Sequence, residues 1–359
     1  MTDLSSSQST PTQVVSVAST RETTGTRILN FLVTYGMLIA IAILILFFSQ
    51  HTKAFLSVDN FLLIARAVSI LMIVAIGVTL SVSVGGFDVS VGSVTGLSVM
   101  ISTALMVIWQ TPWYVAIGVA ILAGIIVGLI NAFLIIKLRI PDLLATLGML
   151  YLIQGLQLVI SMGNSVYKGM ANPWDPAGAI ASGEIPKIFL TIGQGAIFKT
   201  EQFDGVPVAV IVTLVIVAIF HIFLQYTRWG RMFYAVGGNL EAARLSGIPV
   251  NRIRTAAYVL SAVLATLGGI VLASRTGSGA VQAGEPYLLD SVAATYFGFA
   301  VLKARRPNVF GTMMGALFVG IMLNGLTMMN LAWYFQDVIK GAVLILSLAL
   351  SFYLVKQRR

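Results

Sequence analysis

The 359-residue chain contains no cysteine and only two histidines, His51 and His221. Without thiols it can form no disulfide, thiolate metal site or cysteine nucleophile, and two isolated imidazoles fit no zinc spacing. Charge is scarce as well. Asp, Glu, Lys and Arg make up 10% of the residues, against about 25% in an ordinary soluble domain. A phosphate-cradling loop is missing: the nearest pattern runs from Gly193 to Lys199-Thr200, with Phe198 where the second glycine is required. Paired carboxylates and a nucleophile–histidine arrangement are missing too, so the chain is not read as an enzyme, and no metal or cofactor is expected.

Apolar residues fill the gap, at 58% of the chain, with a mean hydropathy of +0.94. A helix rises about 1.5 Å per residue, so a hydrocarbon core of about 30 Å needs roughly twenty apolar residues. Runs of that kind lie at 31–50, 61–84, 90–109, 113–136, 143–162, 207–226, 255–274, 288–302, 309–329 and 335–355. They predict an all-α polytopic membrane protein of about ten transmembrane helices, forming one domain over 31–359. The Ser/Thr-rich stretch 1–30 is too poor in large apolar groups to bury itself and is expected to be a disordered cytoplasmic tail.

The net charge of +9 is carried in short gaps between the runs, which marks topology and not a nucleic-acid footprint. With the N terminus inside, fifteen Lys and Arg residues fall in internal segments. Five fall outside: Lys53, Lys168, Lys187, Lys199 and Arg275. The count supports an N-in, C-in chain. Two connections are longer than the rest, an external loop at 163–206 and a basic, amphipathic cytoplasmic segment at 227–254. In the latter, Gly237-Gly238 break the chain, Asn239 can cap a short helix over Leu240 to Ser246, and Gly247 and Pro249 end it.

Several polar residues interrupt the apolar runs. In GGFDVSVGS, two glycines end one helix and Asp88 or Ser90 can cap the next. Asp88 marks either a broken-helix site or a plain turn, because a carboxylate facing lipid costs about 2.5–3.5 kcal/mol. Thr146, Gln154, Gln157 and Ser161 share one helical stripe, and Asn324, Thr327 and Asn330 recur every third residue. Such groups line a pathway or bond a neighbouring helix. Phe297 could narrow a pore or pack in the core.

Four stretches resemble one known family. GGNLEAARLSGIPVNRIR resembles the cytoplasmic coupling segment of the ribose/xylose/arabinose/galactose-type ABC importer permeases. GGFDVSVGS, PDLLATLGMLYLIQGL and GEPYLLDSVAATYFG are similar to further stretches of that family, and the resemblance runs from about residue 60 to the end. Two departures are plain: Gln154 replaces the usual arginine, and LKARRPNVFG replaces a glycine-rich turn. The resemblance implies a type II-like permease bundle in the bacterial inner membrane, importing a sugar or sugar-like solute. Asn239, Glu241, Ala242, Ala243, Arg244, Leu245, Ser246 and Gly247 are expected to dock on a separate ATP-binding cassette subunit. Asp88, Ser90, Thr146, Gln154, Gln157, Asn324, Thr327 and Phe297 are candidates for the solute pathway. Asp175, Glu184, Glu285 and Asp290 are candidates for receiving a periplasmic solute-binding protein. A second copy or a related permease would complete a dimer, with membrane lipid around it. The competing reading is an ion-coupled secondary transporter, for which Asp88, Asp290, Asp337 and Lys340 are the ionisable candidates.

Overall fold

The computed structural model describes residues 24–200, 204–299 and 306–356. Most of the N-terminal tail (1–23), Glu201, Lys303, Arg305 and the last three residues of the KQRR terminus lie outside the described residues. The chain opens with five helices, α1 (Thr24–His51), α2 (Val58–Ser83), α3 (Val91–Val107), α4 (Trp113–Ile136) and α5 (Asp142–Ser161). A short α6 (Lys187–Gln194) and an antiparallel pair of two-residue strands, β1 (Ala196–Ile197) and β2 (Val206–Pro207), follow. Then come α7 (Val208–Tyr226), α8 (Arg228–Gly238), α9 (Leu240–Leu245), α10 (Val250–Thr276), α11 (Glu285–Phe299), α12 (Val309–Met328) and α13 (Trp333–Lys356). Prolines at 112, 141, 186, 207 and 249 stand directly before α4, α5, α6, α7 and α10. Their fixed φ and missing N–H suit the entry to a helix and not its interior.

The described part of each expected apolar run falls largely on a helix of this bundle. Among the described residues, α2, α4, α5, α7, α10 and α12 are long and apolar enough to cross a membrane by length and composition. The apolar part of α1, Tyr35–His51, and the 17-residue α3 are shorter. The chain is thus a multi-pass membrane protein.

The centre of the bundle is α2 and α10. In their most apolar windows 67% and 72% of residues are buried, against 22% in α7, which separates core helices from peripheral ones. Small residues allow this density, since lipid gives no hydrophobic reward for helix association and close packing must supply it. A β-carbon at Gly128 of α4 would lie 2.6 Å from Val259 Cα, and one at Gly77 of α2 would lie 2.9 Å from Ser261 O. Hydroxyls add directional ties. Thr79 on α2 lies 2.6 Å, Oγ1 to Oγ1, from Thr312 on α12, and Thr295 on α11 donates to Ala75 O at 3.1 Å.

Long loops are usually either functional or disordered; the described part of 163–206 is folded. Phe189 of α6 is fully buried, and Ser274 of α10 donates to Phe189 O at 2.6 Å while accepting from Gly193 N at 2.7 Å. Val166 and Gly279 exchange backbone hydrogen bonds, and Trp174 Nε1 donates to Ile160 O. The segment is therefore fastened to the ends of α5 and α10.

Candidate functional site

The short helix α9 is defined at both ends by the residues that the sequence pointed to. Asn239, in extended conformation, accepts from Ala242 N through Oδ1 at 2.9 Å. At the other end Gly247 adopts φ +79°, Gly247 N donates to Arg244 O, and Ile248 N donates to Ala243 O at 3.1 Å. Those two bonds make a complete Schellman termination, which needs the left-handed conformation at Gly247. Ala243 alone turns inward at 4% exposure. Glu241, Ala242, Arg244, Leu245, Ser246 and Gly247 all face out, and Leu245 is 82% exposed. Arg244 and Glu241 pair at 3.4 Å on this open surface, an interaction of only about 0.3–0.5 kcal/mol. The knob owes its shape to its caps, not to that pair.

The preceding helix holds the knob on the bundle. Gly237-Gly238 do not break the chain before α9 as expected; α8 continues through both, and the break falls at Asn239. Phe233 is buried edge-on to Phe223 of α7, and Tyr234 donates to Pro307 O at 2.8 Å beneath the Arg306 guanidinium. The last turn of α8 then lies backbone to backbone on the α2–α3 break. A β-carbon at Gly237 would lie 2.3 Å from Ser83 O, and one at Gly85 would lie 3.5 Å from Gly237 Cα.

That break is the GGFD turn, and its carboxylate is fully buried. Asp88 Oδ1 accepts from Ser90 N (3.0 Å) and Ser90 Oγ (2.6 Å), while Oδ2 accepts from Ser261 Oγ of α10 (2.9 Å). Ser90 makes no side-chain cap to α3; Asp88 bonds the Ser90 amide, one residue ahead of the helix. Ser90 Oγ also accepts from Asn131 of α4 at 2.9 Å, and Val89 N donates to Thr146 Oγ1 of α5 at 3.2 Å. Beside this lies an ion pair that the sequence did not signal: Arg254 Nη2 of α10 donates to both oxygens of Asp142 of α5, at 2.9 and 3.0 Å, and the Tyr258 hydroxyl donates to the same carboxylate. The break is thus a joint at which α2, α3, α4, α5, α8 and α10 meet. Asp88→Ala, which orphans three donors in a site without solvent access, is expected to cost about 3 kcal/mol. Asp88→Asn keeps an acceptor oxygen and should cost less. Thermal unfolding in detergent checks this; an alanine variant that melts with the wild type would show that the joint bears no load.

The remaining pathway candidates are dispersed. Gln157 is buried against Gly96 and donates to Ser93 O of α3 at 3.1 Å, and Gln154 sits half-buried beside that stripe. At the opposite end of the bundle Asn324 donates to Asn60 Oδ1 of α2 at 2.9 Å, while Thr327 is exposed and bonds Leu323 O of its own helix. Phe297 packs on Phe318 with ring centroids 4.9 Å apart and faces a cleft of about 380 Å³ between α11, α12 and α13. The same cleft holds Glu285, Asp290, Asp337 and Lys340. Asp290 is the one docking candidate that the structure turns inward. It is 9% exposed and pairs with Lys340 at 3.7 Å, so it is not a free acidic charge on the surface of the chain. Glu285 is exposed, and Asp175 is half-buried and accepts from Ala177 N. Glu184 is exposed and bonded to Lys168 at 2.5 Å, a contact that holds its carboxyl below the usual range.

Comparison with known proteins agrees with this architecture. The family model described as branched-chain amino acid transport system / permease component matches residues 60–348. Ribose import permease protein RbsC of Haemophilus influenzae is 32% identical over 333 residues, covering 93% of this chain and 97% of the relative. The Escherichia coli K12 protein of the same name is 33% identical, covering 86% of this chain and 91% of the relative. The xylose transport system permease protein XylH of Haemophilus influenzae is 31% identical, covering 87% and 94%. No solved structure matches the chain. A bundle of apolar helices with a capped knob at one end, matched over most of its length by these relatives, belongs to the branched-chain amino acid transport system / permease component family.

Proposed function

We propose that this chain is the membrane permease subunit of an ATP-driven importer for a sugar or sugar-like solute, seated in the bacterial inner membrane. The observation that carries the reading is α9: a rigid, doubly capped helix that exposes Glu241, Ala242, Arg244, Leu245, Ser246 and Gly247 on a mostly apolar chain. The ribose and xylose permeases among the relatives point to the solute class.

In this reading ten helices cross the membrane, α1 to α5, α7 and α10 to α13, with both termini inside. The α2–α3 break, α8 and α9 then lie on the cytoplasmic side, and α6 with β1 and β2 lies outside. A separate ATP-binding cassette subunit hydrolyses ATP and receives α9. A periplasmic binding protein docks outside, where Asp175, Glu184 and Glu285 are the acidic contacts. Thr146 bonds the α2–α3 break, and Gln157 and Asn324 bond neighbouring helices, which favours a structural role for all three. Charged groups inside a span avoid lipid, so the α11–α13 cleft with Phe297, Asp290 and Lys340 faces the solute pathway or a second permease copy.

Affinity purification of the tagged chain in mild detergent tests the reading. A nucleotide-binding ATPase subunit is expected to accompany the chain and to be lost on Glu241→Lys. A chain that purifies alone, yet drives uptake under an ion gradient in liposomes, would overturn the reading in favour of a secondary transporter.

A further inference from the structure

The seam between α4 and α10 has a built opening that the transport reading does not use. The two helices press together at Gly128, where a β-carbon would lie 2.6 Å from Val259 Cα. Beyond that crossing, toward the end of α4 and the start of α10, a cleft of about 490 Å³ opens between them. Its walls are apolar: Leu129, Phe133 and Ile136 on one side and Val259 on the other, with Leu129 and Phe133 half exposed to the outside of the bundle. From Leu129 to Lys137 the groove is about 12 Å long at 1.5 Å per residue, close to the ~15 Å of one leaflet's hydrocarbon.

Its mouth is basic. Lys137 and Arg252 line the end of the same cleft, and neither forms an ion pair among the described residues. A second cleft of about 300 Å³ adjoins it through Ile136 and Asn251 and adds Arg139, likewise without an ion pair among the described residues. The other arginines there are engaged, Arg254 by Asp142 and Arg244 by Glu241. A free phosphate has no use for the apolar wall, and a neutral lipid has none for the cations. We infer that this seam binds an anionic phospholipid of the cytoplasmic leaflet, one acyl chain in the α4–α10 groove and the phosphate between Lys137 and Arg252. Assignment to that leaflet rests on the orientation proposed above; binding itself does not, because a measurement in detergent is blind to orientation and needs neither ATPase nor solute.

The test uses the full-length protein, delipidated in mild detergent and offered phosphatidylglycerol or phosphatidylcholine of the same acyl chains, with bound lipid counted by native mass spectrometry. Two basic contacts predict a preference for phosphatidylglycerol of roughly thirtyfold. Lys137→Gln with Arg252→Gln should reduce it to about threefold or less, whereas Lys137→Arg with Arg252→Lys should keep it, which separates charge from folding. Equal retention of the two lipids by the wild type overturns the proposal, as does an unchanged preference in the double glutamine variant. Release of phosphatidylglycerol by excess inorganic phosphate would show a simple anion site and overturn it as well.

Discussion

Gly247→Pro is expected to release the ATPase subunit from this chain while leaving the bundle folded in the membrane. Gly247 sits at φ +79°, a conformation closed to proline, whose ring fixes φ near −65°. The substitution also deletes the N–H that donates to Arg244 O and misaligns the bond from Ile248 N to Ala243 O. Proline in such a place costs about 3 kcal/mol, roughly a hundredfold shift in the population of the folded knob. A six-residue helix has no internal reserve against that loss, because its stability comes from its caps and its attachment. Other residues at this position should rank by backbone alone. Gly247→Ala costs about 1 kcal/mol and a few-fold loss, and Gly247→Asn, whose side chain tolerates the left-handed region, stays near the wild type. The readout is the amount of ATPase subunit recovered per tagged chain, with monodisperse elution as the folding check. Recovery by the proline variant equal to that of the wild type would remove α9 as the docking element.

The caps that make this prediction possible were legible in the sequence because they are local. Asn239 and Gly247 act within four residues of themselves, and apolar length alone locates α2, α4, α5, α7, α10 and α12. Spatial pairing was not legible. Asp142 and Arg254 are 112 positions apart, and Thr79 and Thr312 are 233 apart, with nothing in either neighbourhood to indicate the partner. The stripe on α5 shows the limit of periodicity. A 3.6-residue repeat places Thr146 and Gln157 on one face, yet a face lining water and a face bonding α3 have the same repeat, and only the contact with Ser93 O separates them. Asp290 misled for a related reason: the turn of α11 that carries it is close to a surface, but Lys340 on α13 draws it inward. At Gly237-Gly238 helix propensity predicted a break, and packing reversed it. Glycine costs about 1 kcal/mol in a helix, but at Gly237 no larger residue fits beside Ser83.

That contact gives the second large effect. Gly237→Ala places a methyl 2.3 Å from Ser83 O, and because the neighbour is backbone and not the end of a flexible side chain, α8 must move away from the α2–α3 break. Overpacking of this kind costs about 1–3 kcal/mol. Gly238, one residue on, has nothing within 4 Å of its would-be β-carbon, and alanine there should be neutral or improve α8 by up to about 1 kcal/mol. The two substitutions are chemically identical and adjacent, so they differ only in whether they separate the knob from the joint around Asp88. If motion of α9 reaches the bundle through that backbone contact, Gly237→Ala keeps the ATPase subunit bound but lowers solute-stimulated ATP hydrolysis at least tenfold in reconstituted vesicles. Gly238→Ala leaves it unchanged. Equal stimulation in the two variants would mean that α9 communicates with the bundle by another route, such as the hydrogen bond from Tyr234 of α8 to Pro307 O just ahead of α12.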